Sequence, residues 1–232
     1  MPKRKLMNIN WTRIWTVPFC SLVLLLTSCS SLREQGPVDL FGDDSLAGWK
    51  AVLTDPGVNM GQVWSLEGGV LTCQGTPIGV LFKGPEVTDF RLSVDYRWAP
   101  GTTPGNSGIF SRITEPVTPL PKAVEVQLAN GNAGDVLGLQ GRKVEADQPR
   151  HFEVKGHKLA GDISGVRKLQ GAEAPAGEWN HVEIEARGPR YTVTINGQLV
   201  NEVNGVEVVR GAIGLQSEGG VIQFRRVFLT RL

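Results

Sequence analysis

The sequence predicts an all-β domain built as two stacked antiparallel sheets. Three observations carry the prediction. Short runs of alternating apolar and polar residues recur along the chain, the period of a strand with one buried face. The 29 Gly and 14 Pro, 43 together, stand largely as punctuation between those runs, where turns need their backbone geometry. Beyond residue 38 no useful window shows the i, i+3, i+4 apolar spacing of an amphipathic helix. Many short strands in one domain imply a sandwich or a barrel. The polar side of the longer strands favours a sandwich with an outer face open to a ligand.

The first residues are read as a targeting segment rather than as fold. "MPKRKLMNINWTR" carries four bases and no acid, and "IWTVPFCSLVLLL" is an apolar run of signal-peptide length, too short for a membrane span of about 20 residues. It ends in Leu26-Thr27-Ser28-Cys29, which resembles the lipobox of bacterial lipoproteins, where the cysteine takes a diacylglycerol. Residues 1–28 are thus expected to be a lipoprotein signal peptide, residues 29–37 a polar tether, and residues 38–232 one domain. Cys29 would be the lipid attachment, giving an exported protein anchored to the envelope membrane. Ser30 after the cysteine favours the outer membrane or its periplasmic face. An ordinary secretory signal would share the basic and apolar parts.

Removing residues 1–28 leaves 20 Lys and Arg against 23 Asp and Glu, a formal charge of −3. That balance offers no basic field for nucleic acid, which is excluded as a partner. Cys73 is then the one thiol of the domain besides the anchor, so no internal disulfide is possible, and its parity with Leu71 makes it a small core residue.

Along the domain, "DFRLSVDYRW" places Phe90, Leu92, Val94, Tyr96 and Trp98 on one face and Arg91, Ser93, Asp95 and Arg97 on the other. "WNHVEIEA" sets Val182, Ile184 and Ala186 against His181, Glu183 and Glu185. In "RYTVTINGQLV" Tyr191, Val193 and Ile195 alternate with polar residues, and Asn196-Gly197 supplies a hairpin turn. Residues 134–175 alternate weakly and are expected to be long loops with a few short strands. In "AVEVQLANGNAGD", Val124, Val126 and Leu128 face a core while Glu125 and Gln127 face outward.

Those two polar residues head a candidate site. Arg112 has the parity of Asn106 and Phe110, and Gln216 and Glu218 lie opposite Ile213 and Leu215. Asp95 and Arg97 face outward in their own strand. Such a set of acids, amides and guanidinium groups suits sugar hydroxyls, which need paired donors and acceptors; a solvated sheet face would show the same alternation. Asp135 in "NGNAGD" fits a turn and is a candidate oxygen ligand for calcium or a similar divalent ion. His151, His157 and His181 lack metal-ligand spacing. Jelly-roll glucanases resembling laminarinase carry Glu-x-Asp-x-x-Glu, whereas the positions here read Glu125, Gln127 and Asn130. That rules out the two-carboxylate mechanism on this strand.

Nine short pieces, in order, then resemble one family. They are "LFGDDSLAGW" (40–49), "WSLEGGVLTCQG" (64–75), "DFRLSVDYR" (89–97), "GNSGIFSR" (105–112), "VEVQL" (124–128), "GEWNHVEI" (177–184), "INGQLV" (195–200), "GAIGLQ" (211–216) and "IQFRRVFL" (222–229). The chain resembles the 3-keto-disaccharide hydrolase domain family. The resemblance implies a concanavalin A/laminin G-like jelly roll, the sandwich of lectins and glucanases. It also implies action on 3-keto-glycosides or 3-keto-disaccharides, by base-assisted elimination and hydration. On that basis Glu125 is expected as base or sugar ligand and Arg112 as the cation that stabilises the enolate. Gln127, Asn106, Gln216, Glu218, Asp95 and Arg97 are expected as substrate ligands. A divalent metal held partly by Asp135 or Glu125 could take the place of the arginine. The segment after the Glu-Val-Gln strand, "ANGNAGDVLGLQG", has no His and one acid, unlike many relatives. The competing expectation is a non-catalytic, lectin-like surface protein that binds an oligosaccharide, since a fold alone does not decide function.

Overall fold

Alternation becomes strand wherever a run can bury one face, and the computed structural model, which describes residues 36–146 and 149–232, is built almost wholly that way. The targeting segment 1–28, Cys29 and the tether as far as residue 35 lie outside the described residues. In chain order the strands are β1 (Val38–Asp39), β2 (Lys50–Leu53), β3 (Trp64–Glu67), β4 (Val70–Cys73), β5 (Gly79–Val87) and β6 (Phe90–Trp98). There follow β7 (Gly108–Ile113), β8 (Val124–Gln127), β9 (Val136–Gly138), β10 (Val144–Glu145), β11 (His151–His157) and β12 (Gly161–Val166). The last are β13 (Asn180–Arg187), β14 (Arg190–Ile195), β15 (Gln198–Val203), β16 (Gly205–Val206), β17 (Gly211–Ser217) and β18 (Ile222–Arg231). One single-turn helix, α1 (Met60–Val63), precedes β3.

The first sheet runs β15-β14-β13-β6-β18-β4-β3, with β1 paired to the far half of β18. The second runs β11-β12-β9-β8-β7-β17-β5-β2, and β10 pairs with β16 in a small ribbon. Neighbouring strands are antiparallel, and the chain changes sheet at every step from β4 to β7. This is the expected two-sheet sandwich with jelly-roll crossings. Residues 134–175 hold more strand than their weak alternation suggests, because β11 and β12 form a hairpin on the edge of the second sheet. An edge hairpin has a solvated side, so it shows little apolar periodicity.

Between the sheets lie Leu71, Phe90, Leu92, Val94, Tyr96, Val124, Val126, Val182, Ile184, Tyr191, Val193, Ile213, Leu215 and Phe224, all removed from solvent. Each large apolar side chain buried there contributes roughly 1.5–3 kcal/mol. Tyr191 of the first sheet and Ser111 of the second join hydroxyls at 2.9 Å across this core. Cys73 is buried and free, and burial pushes its thiol pKa up. The Asn196-Gly197 turn is present, with φ of 51° and 77°.

Candidate functional site

Strand parity puts Glu125 on the outer side of the second sheet, opposite Phe110 on β7 and Leu137 on β9. Val124 and Val126 on either side of it enter the core. The Glu125 side chain crosses Gly108, where a Cβ would collide with it. Glycine at 108 therefore leaves the space in which the Glu125 side chain sits. Glu125 is 2% exposed and its Oε1 has no hydrogen-bond partner among the described residues. Burial, and next the charge of Glu218, push its pKa well above the usual carboxylate range, which favours the protonated form.

Two glycine-rich turns bring the second carboxyl up. Gly105 and Gly220 pack backbone against backbone, each without room for a Cβ. Asn106 N–H donates to Gly219 O at 3.0 Å. That contact sets Asn106 Nδ2 2.7 Å from Glu218 Oε2. Glu218 is half-buried; desolvation raises its pKa, against a hydrogen bond from Gln216 and the charge of His157. Gln216 sits on the same face of β17. Its Oε1 and Asn106 Oδ1 are buried without partners, like Glu125 Oε1. A buried acceptor left unpaired costs about 1–3 kcal/mol, so three on one patch describe a place that receives hydrogen-bond donors.

The rest of this face is apolar and largely covered. Val80, Phe110, Leu120, Ala123, Leu137 and Ala160 form a second apolar cluster outside the main core. Gln140 Nε2 donates to Leu120 O at 3.0 Å and to Leu159 O at 2.6 Å, tying two loops together over it. Further along the same strands a cleft of about 150 Å³ is lined by Lys50, Phe82, Lys83, Ile113, Glu115 and Val117. Phe82 is one pleat, about 7 Å, from Val80, the register partner of Gln216.

The remaining predicted residues are placed elsewhere or used otherwise. Gln127 shares the face, but its Oε1 accepts the N–H groups of Leu128 and Ala129 and so caps the following loop. Arg112 does not join the set. Two residues between Phe110 and Ile113 oppose the one between Ala212 and Gly214, and Arg112 takes up the extra residue with φ 53°. A bulge reverses parity, so the guanidinium turns inward and donates to Glu207 O, Gly188 O and Thr88 O. Asp95 and Arg97 lie on β6, on the outer side of the opposite sheet, and belong to a separate cluster. Asp135 Oδ1 accepts Lys168 N–H at 2.7 Å. Among the described residues no group of three or more His, Cys, Asp or Glu could hold a metal ion. With Asp135 engaged by Lys168 and no such cluster around Glu125, the donor set does not fit the divalent cation considered from sequence.

His157 stands near Glu218. Its Nδ1 accepts Ala160 N–H at 3.0 Å, which leaves the ring proton on Nε2. No local pattern marks it, because the β11–β12 hairpin that delivers it folds over from the sheet edge.

Solved structures share this architecture at low identity. A Parabacteroides distasonis protein provisionally named a glycosyl hydrolase is 22% identical, covers 79% of this chain and 99% of its own, and superposes with a TM-score of 0.53. The carbohydrate-binding module CBM66 of Bacillus subtilis is 14% identical over 78% of this chain and 93% of its own, at 0.54. A Bacillus licheniformis β-glucanase is 11% identical over 85% and 98%, at 0.52. These likenesses show the fold. No protein of curated function matches the chain in sequence. The family model of the 3-keto-alpha-glucoside-1,2-lyase-like domain matches residues 36–230, and the chain belongs to that family.

Proposed function

We propose that this protein, carbohydrate-active by its family, cleaves glycosides whose C3 hydroxyl has been oxidised to a ketone. A C3 ketone acidifies the C2 proton. Removing that proton while the C1 substituent leaves gives an enone, and water added back at C1, with a proton returned to C2, completes a net hydrolysis. The observation that carries this reading is the pair of carboxyls in unequal surroundings, beside the unpaired buried oxygens of Asn106 and Gln216. Unequal environments divide acid from base. Glu125, kept neutral, is the proton donor to the leaving oxygen, and Glu218, the more exposed, takes the C2 proton. This reverses the role expected for Glu125 from sequence. His157 Nε2–H replaces Arg112 as donor to the C3 oxygen, while Gln216 and Asn106 accept sugar hydroxyls. The cleft beyond Phe82 takes the leaving group.

The test is incubation of the purified protein with a 3-keto-disaccharide and with its unoxidised parent in deuterated water. Monosaccharide should be released from the keto sugar alone, with deuterium at C2. Glu218→Gln should slow release by about 100-fold or more, the scale of general acid–base catalysis. Equal cleavage of the parent, or product without deuterium at C2, would sink the mechanism. One observation favours a second reading, sugar binding without turnover: Glu125 is enclosed. Binding of the keto sugar with no release would establish it. Export and lipidation at Cys29 complete the proposal, supported by the basic and apolar N-terminal segment. The mass of the mature N-terminus from envelope membranes checks it.

A further inference from the structure

Asp95 and Arg97, which the catalytic face does not use, organise a cluster on the outer side of the first sheet. Register sets His181 of β13 and Arg225 of β18 on either side of Asp95, with Arg97 opposite Gln223 one pleat away. Asp95 Oδ1 accepts His181 Nδ1 at 2.8 Å and Arg226 Nη2 at 3.0 Å. Its Oδ2 accepts Arg225 Nε at 3.1 Å and forms an ion pair with Arg226 Nε at 2.8 Å. Both oxygens are thereby saturated. The Trp179 ring holds the guanidinium carbons of Arg225 and Arg97 at 4.0 and 4.5 Å from its centroid, which fixes their planes.

The cations outnumber the anion: three arginines face one carboxylate, an excess of +2 with histidine neutral. Nearby acids are drawn elsewhere, Glu185 to Arg91 and Arg187, and Glu183 toward Arg91 at 3.9 Å. A guanidinium has five N–H groups, and only some are engaged. Both Nη groups of Arg225 and Arg97, Arg226 Nη1 and His181 Nε2 have no hydrogen-bond partner among the described residues. The side chains of Arg225, Arg226 and His181 are 36%, 58% and 42% exposed, so these donors reach solvent.

We propose that this surface binds a saccharide bearing an oxyanion, either a carboxylate or a sulfate ester. Pre-ordered guanidinium edges recognise such groups in bidentate fashion, and Asp95 is the internal anchor that orders them before the ligand arrives. The free donors span two rows of the sheet about 7 Å apart, wider than a single oxyanion. A sugar ring carrying that group covers both rows. The site lies on the opposite sheet from Glu125 and stands independently of the catalytic proposal.

Calorimetric titration of the purified protein with glucuronate, glucose 6-sulfate, glucose and inorganic sulfate tests it. At least one acidic sugar should bind ten-fold or more tightly than glucose and than inorganic sulfate. The two acidic sugars tell a carboxylate site from a sulfate site. Arg226→Asn should cost ten-fold or more in that affinity; Asn tolerates the φ of 50° at this position. Arg97→Gln, which removes a cation hydrogen-bonded to Gln223 and stacked on Trp179 but not paired with Asp95, should also weaken binding and guards against a folding defect in the first variant. Glu218→Gln should leave this binding unchanged. Equal affinity for glucose, equal affinity for inorganic sulfate, or full affinity in both arginine variants would overturn the proposal.

Discussion

Two carboxyls, Asp95 and Glu125, are each 2% exposed on opposite outer faces of one sandwich, yet their acidities move in opposite directions. Burial pushes both upward. For Asp95 the hydrogen bonds from Arg226, His181 and Arg225 outweigh burial, and the pKa falls below the ordinary value. For Glu125 burial is joined by the charge of Glu218, and nothing opposes it. Burial alone therefore does not say whether a carboxyl is an anion or an acid; its partners do. One face holds a fixed negative charge that orders cations. The other favours a proton.

The comparison breaks most severely at the partnered carboxyl. Asp95→Ala leaves Arg225, Arg226 and His181 facing one another and should destabilise the protein by roughly 3 kcal/mol, read from chemical unfolding. On the unpartnered side, Gly108→Ala pushes a methyl group into the Glu125 carboxyl. Overpacking of that kind costs about 1–3 kcal/mol and should reduce turnover in step with the loss of the carboxyl's position. Glu125→Gln is nearly isosteric and should change stability at pH 7 by no more than about 1 kcal/mol.

The smallest effect separates the two groups most cleanly, as a pH dependence of opposite sign. Glu125 has a raised folded pKa, so its contribution is full below the unfolded value of about 4.3. It is lost as pH rises toward and through the folded value. Asp95 has a lowered folded pKa, so its contribution is present above about 3.9 and lost as pH falls through the folded value. Unfolding free energy measured against pH should flatten on the rising-pH side in Glu125→Gln and on the acid side in Asp95→Asn. Flattening on the same side in both variants would contradict the assignment.

Much of this fold was legible in the sequence because parity is a local property. Phe90 to Trp98, Val124 to Leu128, and Asn196-Gly197 behave as their alternation and turn chemistry predict. Within the candidate site, Glu125, Gln216, Glu218 and Asn106 come together on one face. Parity failed at Arg112, where one inserted residue turned the side chain inward, since a bulge leaves no mark in the pattern of apolar residues. It also grouped Asp95 and Arg97 with Glu125, because outward parity does not say on which of two sheets a residue lies. The loops that cover Phe110 and bring His157 toward Glu218 depend on long-range packing and carry no short motif.

The most direct test of a protonated carboxyl on the Glu125 face is infrared difference spectroscopy of the unmodified protein against Glu125→Gln at pH 7. A protonated-carboxyl stretch present in the native protein and missing in the variant is the predicted result. A difference confined to the ionised-carboxylate bands would show Glu125 charged, and the division of acid and base between Glu125 and Glu218 would fall with it.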